Sequence, residues 1–154
     1  MTGAYATVLG PAAFNTAVAA LQNLVETSLG RAAGLGAETA TEARQACYGH
    51  ARLMREIEIG RFQDHLRRCF AHQRERDEAR YVLILDPAQY ATLTAALWLY
   101  LRLGLADPAR RSPHVAAAAA GETLGLGAAR ALRGAEVGAL LDEVRAVARP
   151  AAWI

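Results

Sequence analysis

The sequence contains no lysine and few aromatic residues. All 17 basic residues are Arg, a uniformity that a GC-rich coding sequence explains before any selection for guanidinium chemistry does. Aromatic residues make up 6% of the 154 positions, whereas Ala occupies 36 of them. A core of small and aliphatic side chains favours helices. The composition therefore argues against an all-β fold and predicts a mainly helical single domain spanning residues 1–154.

Long apolar runs are also missing, and no secretory leader is expected. Arg, Asp, Glu or Gln interrupts every apolar run before it reaches the roughly 18 residues that a membrane span needs. Met1–Val8 has no basic region followed by an apolar segment. We therefore expect a soluble protein without a membrane partner, located in the reducing cytoplasm. There, Cys47 and Cys69 are expected to be thiols or metal ligands and not a disulfide.

Recognisable catalytic motifs are absent as well. The sequence has no nucleotide-binding Gly-rich loop, no nucleophile elbow and no paired-carboxylate motif. The only two serines, Ser28 and Ser112, have no His and acid arrangement nearby in the sequence. An enzyme is therefore the less favoured interpretation.

Two segments share the pattern of a short apolar strand, a cap and an Ala-rich helix that begins with proline. Tyr5–Leu9 is followed by Gly10-Pro11, and Tyr81–Leu85 is followed by Asp86-Pro87. These segments predict at most a small two-stranded β ribbon, in which the strands pair side by side. Aligning the ends of the two strands also matches residues along both helices. That match fits an internal duplication, and it equally fits two helices that are alike by composition.

Other parts of the chain have helical periodicity. We predict four helices whose ends the sequence indicates. They are Pro11 to about Leu29, Pro87 to about Leu103, Val115–Ala120, and a last helix from about Gly134 that ends before Pro150. Thr39-Ala-Thr-Glu42 has the spacing of a capping box, and the pattern continues from there to about Ala79. A stretch of about 40 residues exceeds a usual globular helix, so it is either a long central helix or a helical hairpin. Ile57–Gly60 has the weakest helix propensity, and we predict a bend there.

The segment from Tyr81 to Val147 resembles a group of small uncharacterised proteins carried on proteobacterial plasmids, prophages and integrated elements. The residues that carry this resemblance are Leu85-Asp86-Pro87-Ala88-Gln89-Tyr90, Ala95-Ala96-Leu97 with Tyr100, His114-Val115, Glu122-Thr123-Leu124 and Leu140–Val144. The group supplies no activity for this chain. The resemblance implies only a mobile genetic element as its setting.

Two C-x-x-H pairs are the most specific chemical pattern in the sequence: Cys47 with His50, and Cys69 with His72. Residues three apart on a helix share a face, so each thiolate and imidazole can bind one ion together. The pairs mirror one another about Ile59–Gly60. Folding back at that point would bring four ligands into a closed, structural zinc site. A straight helix would need an antiparallel dimer to build two such sites.

The alternative needs no metal. Cys47 and Cys69 are then small buried hydrophobic residues, and His50 and His72 lie at the polar edge of the same stripe. His65 shares a helical face with Cys69 and is a substitute ligand if a metal is bound.

The segment Arg44–Arg80 contains nine Arg and six acidic residues. Its candidate contacts to nucleic-acid phosphates are Arg67, Arg68, Arg74 and Arg76. The other interpretation is a solvated helical face with ion pairs between residues four apart. Arg67 and His72 also fit an R-x4-H spacing used by some helical ribonucleases.

Together these patterns favour a non-enzymatic protein that binds another macromolecule by protein–protein contact, as an accessory or anti-defence protein of a mobile element. Nucleic-acid binding through Arg44–Arg80 is one alternative, and a helical hydrolase or ribonuclease is another. A continuous central helix would leave an apolar stripe exposed. We therefore also predict a homodimer with Met54, Ile57 and Leu66 at its interface.

Overall fold

A computed structural model of the protein describes residues 5–46, 51–75, 81–121 and 131–147. The elements in these residues are β1 (Tyr5–Leu9), α1 (Pro11–Glu26), α2 (Gly36–Ala46), α3 (Glu56–Glu75), β2 (Tyr81–Leu85), α4 (Pro87–Arg102), α5 (Pro113–Ala119) and α6 (Gly134–Val147). A short 3-10 helix at Pro108–Arg110 precedes α5. The predicted mainly helical fold with a small β ribbon is confirmed. Among the described residues, no helix is both long and apolar enough to cross a membrane.

The two strands form an antiparallel ribbon, as predicted, with Thr7 opposite Leu83 at its centre. Tyr5, Thr7 and Leu9 turn into the core, and the residues between them are exposed. This alternation follows from the period of two along a strand. The ribbon therefore has one buried face and one outward face.

Each strand leads into a helix that begins with proline after one capping residue. Asp86 caps α4, because its side chain accepts a hydrogen bond from the Gln89 backbone N–H at 2.8 Å. The Gln89 side chain accepts one in return from the Asp86 N–H at 3.0 Å. Gly10 holds the same position before α1 without a side-chain cap. The two helix starts therefore share a backbone plan but differ in their side chains.

An approximate twofold axis relates β1 and α1 to β2 and α4. Both strands have five residues and both helices have sixteen. Each element begins 76 residues after its counterpart. Thr7 and Leu83 have the same separation and face each other across the ribbon, so the axis passes through this pair.

The helices that follow are exchanged across this axis. In the first half α2 packs on α4, and in the second half α5 packs on α1. Likewise, α3 contacts α1 and β2, whereas α6 contacts α4 and β1. Two Ala-rich helices that are alike only by composition would not give both halves such similar neighbours; α6 differs from α3 in an additional contact with the first helix of the opposite half, α1. The packing therefore favours an internal duplication.

Two buried threonines tie the halves together. Thr92 on α4 accepts a hydrogen bond from the Met54 N–H at 2.9 Å, just before α3. Thr16 on α1 accepts one from the Leu132 N–H at 2.9 Å, just before α6. Both threonine side chains are fully buried. Each third helix is thus anchored to the first helix of the opposite half.

The predicted bend at Ile57–Gly60 is wrong, because α3 runs through this stretch without interruption. The break lies earlier, between the end of α2 at Ala46 and the start of α3 at Glu56. At this start, the Glu58 side chain accepts a hydrogen bond from the Arg55 N–H at 3.0 Å. Capping and the burial of Ile59 in the core outweigh the weak helix propensity of the stretch.

The predicted capping box at Thr39 is also wrong. Helix α2 begins at Gly36, so Thr39 lies inside it. The Thr39 hydroxyl donates a hydrogen bond to the Leu35 carbonyl at 2.7 Å. A threonine inside a helix often makes this bond to the preceding turn, so the pattern marked the helix but not its first residue.

The core is one cluster of buried side chains drawn from both strands and all six described helices. Tyr5 stacks on Tyr90 with ring centroids 4.4 Å apart, and the Tyr90 hydroxyl donates a hydrogen bond to the Val144 carbonyl. Met54 and Leu66 belong to this core, with 8% and 0% of their surface exposed, whereas Ile57 is 66% exposed. The predicted dimer interface is therefore wrong for Met54 and Leu66, which the chain covers itself.

Candidate interaction surface

The four predicted metal ligands divide between two parts of the chain. Cys69 and His72 lie on α3, whereas Cys47 and His50 lie outside the described residues. Cys69 is half-buried and His72 is exposed. Because α3 is continuous through Ile59–Gly60, the fold-back that motivated the four-ligand arrangement does not occur at that point.

Cys69 contacts His65 one turn earlier on α3. The Cys69 Sγ lies 3.5 Å from His65 Nε2, and the side chain packs against the core. Burial raises the pKa of the Cys69 thiol above its ordinary value, although the Arg68 guanidinium nearby lowers it. The thiolate is the form that attacks substrates and binds metals. This environment therefore favours a neutral thiol over an activated nucleophile.

Zinc binding is a prediction that can be measured directly. If the four ligands predicted from the sequence form a closed site, protein purified without added metal should carry about one zinc atom per chain, since such a site binds one ion. Cys47→Ser and Cys69→Ser should each abolish binding, whereas His65→Ala should not. Elemental analysis measures the metal, and thermal unfolding with and without a chelator measures its effect on stability.

The described residues contain no group of three His, Cys, Asp or Glu side chains placed to hold a metal ion. Metal-free protein that unfolds identically with and without a chelator would contradict the zinc prediction. It would leave Cys69 as a thiol packed against the core.

Two of the four predicted nucleic-acid contacts, Arg67 and Arg68, have described side chains, and both lie on α3. Arg67 forms an ion pair with Asp64 at 2.7 Å, and Arg68 is exposed. Arg74 belongs to α3 although its side chain is not described, and Arg76 lies outside the described residues. The helix α3 contains four Arg and four acidic residues, so its formal net charge is zero. Phosphate attraction depends on an excess of positive charge, which this helix does not supply.

The R-x4-H spacing does not bring its two residues together. Five positions along an α-helix correspond to a rotation of about 140°, so Arg67 and His72 lie on different faces of α3. Arg67 is also engaged by Asp64. This arrangement does not support a ribonuclease site built from the pair.

The outward face of the ribbon is a cluster of apolar side chains. Its members are Ala6, Val8, Val82 and Ile84. Val8 lies directly opposite Val82, and Ala6 lies directly opposite Ile84. Side chains that face each other across an antiparallel pair are in contact distance, so the four form one patch, here called the ribbon face.

The ribbon face departs from the usual pattern of a surface ribbon. Antiparallel sheets that face water normally alternate apolar residues inward with polar residues outward. Val8, Val82 and Ile84 are 44%, 47% and 60% exposed, and they are three of the five large exposed hydrophobic residues in the described chain. The other two, Ile57 and Leu101, lie singly on helices. Clusters of exposed apolar residues are typical of binding surfaces, whereas single exposed residues are ordinary.

A groove runs beside the ribbon face, between the start of α1 and one side of α6. Val8 belongs to both the groove and the ribbon face. Ala13 and Ala139 help to line the groove, and Glu136 and Glu143 add two carboxylates. Apolar surface and negative charge are thus adjacent at this edge of the molecule.

The sequence analysis missed the outward apolar face of the ribbon and the second part of the internal repeat, although the sequence contains a signal for each. The five residues Tyr81–Leu85 are all apolar, which predicted a strand but also meant that its outward positions would be apolar. The part of the repeat that relates the α3 region to the α6 region is also visible in the sequence, with an offset of 78 residues. Identical pairs along it are Arg55 and Arg133, Glu58 and Glu136, Gly60 and Gly138, Asp64 and Asp142, and Arg67 and Arg145.

Comparison of the chain with protein-family models, with curated proteins and with solved structures finds no match. The resemblance to proteins of plasmids and prophages therefore stays a prediction. The function proposed below therefore rests on the ribbon face and the groove beside it.

Proposed function

We propose that this chain is a non-enzymatic binding protein that contacts another protein through the ribbon face. The observation that carries the proposal is the pairing of exposed Val8 with Val82 and of Ala6 with exposed Ile84 on one side of the ribbon. Burying apolar surface is favourable by roughly 25 cal/mol per Å². A partner that covers this face gains that free energy without any rearrangement of the ribbon.

Protein contact is favoured over DNA contact at this face. A two-stranded ribbon fits the major groove of DNA, but it reads bases through hydrogen-bonding side chains such as Arg, Asn and Gln. The four residues of the ribbon face offer aliphatic side chains. The neighbouring carboxylates of Glu136 and Glu143 would also repel phosphates.

An enzymatic role has less support. The only cysteine among the described residues, Cys69, is half-buried, and burial raises its pKa. The exposed apolar patch requires no chemistry from its own side chains, only shape and water exclusion. A binding role therefore accounts for the features that the described residues present.

The proposal predicts different effects for two exposed isoleucines. Ile84→Asp should weaken partner binding at least tenfold, because it places a charge in the buried centre of the contact. Ile57→Asp is the matched control: Ile57 is 66% exposed and Ile84 is 60% exposed, but Ile57 lies on α3. The control should bind normally.

The partner is found by placing a photo-crosslinking residue at position 84, with position 57 as the reference, in cells that express the full chain. The crosslinked protein is then purified, and its affinity for the unmodified chain and both variants is measured by calorimetry. Equal affinities for Ile84→Asp and Ile57→Asp would contradict the proposal.

A further inference from the structure

We infer that the groove between the start of α1 and α6 binds a segment of the partner in which an apolar stretch is flanked by basic residues. This inference rests on the proposed function, because Val8 belongs to both surfaces, and it adds the chemistry of the bound segment. The groove encloses about 380 Å³, which lies in the range of pockets that hold ligand groups.

Small residues line the groove at positions where the other half of the chain has larger ones. The repeat offsets match Gly10 with Asp86, Ala13 with Gln89, and Ala139 with Arg61. A Cβ atom added at Gly10 would have no neighbour within 4 Å. The walls beside β1 therefore carry smaller side chains than the equivalent positions beside β2.

The charge of the groove defines what would fit. Glu136 and Glu143 are exposed on α6 and lie two turns apart, about 10 Å along the helix. Glu136 accepts a hydrogen bond from the Arg133 N–H at 3.1 Å through Oε1, so its other carboxylate oxygen is the one offered to a ligand. Ala139 and Leu140 lie between them and give the groove an apolar floor. In the other half, the position of Glu143 is taken by His65. A bound segment that places an apolar side chain on this floor and a basic residue beside each carboxylate would therefore match the groove.

Opposite charge across such a contact chiefly fixes orientation and selects the partner. A helical segment with two arginines separated by two turns, and leucines between them, matches the spacing of the two carboxylates. An acidic segment, or a nucleic-acid strand, would bring like charges together. The groove thus favours a basic amphipathic segment.

The test uses the full chain and two fluorescently labelled synthetic peptides. One is an Ala-based helix with two arginines spaced two turns apart around a pair of leucines. The other has glutamate in place of both arginines. We expect fluorescence anisotropy to detect binding of the basic peptide, binding to weaken as salt is raised, and the acidic peptide to stay unbound.

Variants of α6 locate the binding site. Ala139→Arg should lower the affinity for the basic peptide at least tenfold by filling the groove. It should fold normally, because Arg61 is exposed at the equivalent position of α3. Glu143→Gln should weaken binding about two- to fivefold, the effect of one exposed ion pair. Ala71→Arg, the same change at an exposed position on α3, is the control and should bind normally.

Equal binding of both peptides, or full binding by Ala139→Arg, would overturn the inference. So would tighter binding of a labelled DNA duplex than of the basic peptide. A concentration-dependent mass that Ala139→Arg abolishes, without any peptide binding, would show that a second copy of the chain fills the groove instead. If the basic peptide fails to bind while Ile84→Asp still loses the partner, the groove inference falls and the proposed function stands.

Discussion

Replacing Leu66 with Ala is expected to lower the free energy of unfolding by about 2–5 kcal/mol. Leu66 lies on α3 and is fully buried in the core that both halves of the chain share. Shortening it removes buried apolar surface and leaves a cavity that the surrounding helices fill only in part. Urea unfolding followed by circular dichroism measures the change.

The control for this prediction is Ile57→Ala on the same helix. Ile57 is 66% exposed, so its truncation should change the free energy of unfolding by no more than about 0.5 kcal/mol. Had Leu66 been part of a dimer interface, Leu66→Ala would chiefly shift the oligomeric state at unchanged stability of the single chain. That result would contradict the assignment of Leu66 to the core.

Removing either threonine hydroxyl that anchors a third helix is expected to be costly as well. Thr92→Val leaves the buried Met54 N–H without its acceptor, and Thr16→Val does the same to the Leu132 N–H. Each substitution should lower the free energy of unfolding by about 1–3 kcal/mol. The two sites share no hydrogen-bond partner, so the double variant should lose roughly the sum.

Thr94→Val provides the matched control on α4. Thr94 is also buried, but its hydroxyl donates only to the Tyr90 carbonyl of the preceding turn. Its loss deprives no backbone N–H of an acceptor, so the effect should be smaller than that of Thr92→Val. Equal losses for Thr92→Val and Thr94→Val would show that the bond to Met54 does not anchor α3.

Differences between the two halves make the surface of the chain asymmetric. The ribbon face lies on the approximate twofold axis, so by itself it would accept a partner in two opposite orientations. The groove beside Val8 breaks this equivalence, because Arg61 and Gln89 stand at the corresponding positions near Ile84. A partner that uses both surfaces is held in one orientation.

The sequence by itself determined where most elements lie. Proline after a capping residue set the starts of α1 and α4, and the observed starts agree with the prediction. Helical periodicity located α6, and two apolar runs located the ribbon. These signals are local, because caps and side-chain periods act over a few residues.

Only the tertiary structure decided which residues are buried and which surface is left to bind. Met54, in the break before α3, bonds to Thr92, and Leu132, just before α6, bonds to Thr16. These partners are 38 and 116 residues apart, far beyond the reach of local pattern. The exchange of helices across the ribbon covers Leu66 and leaves Val8 and Ile84 exposed. Burial is a property of the assembled core, so an apolar residue in the sequence carries no mark of the side on which it will lie.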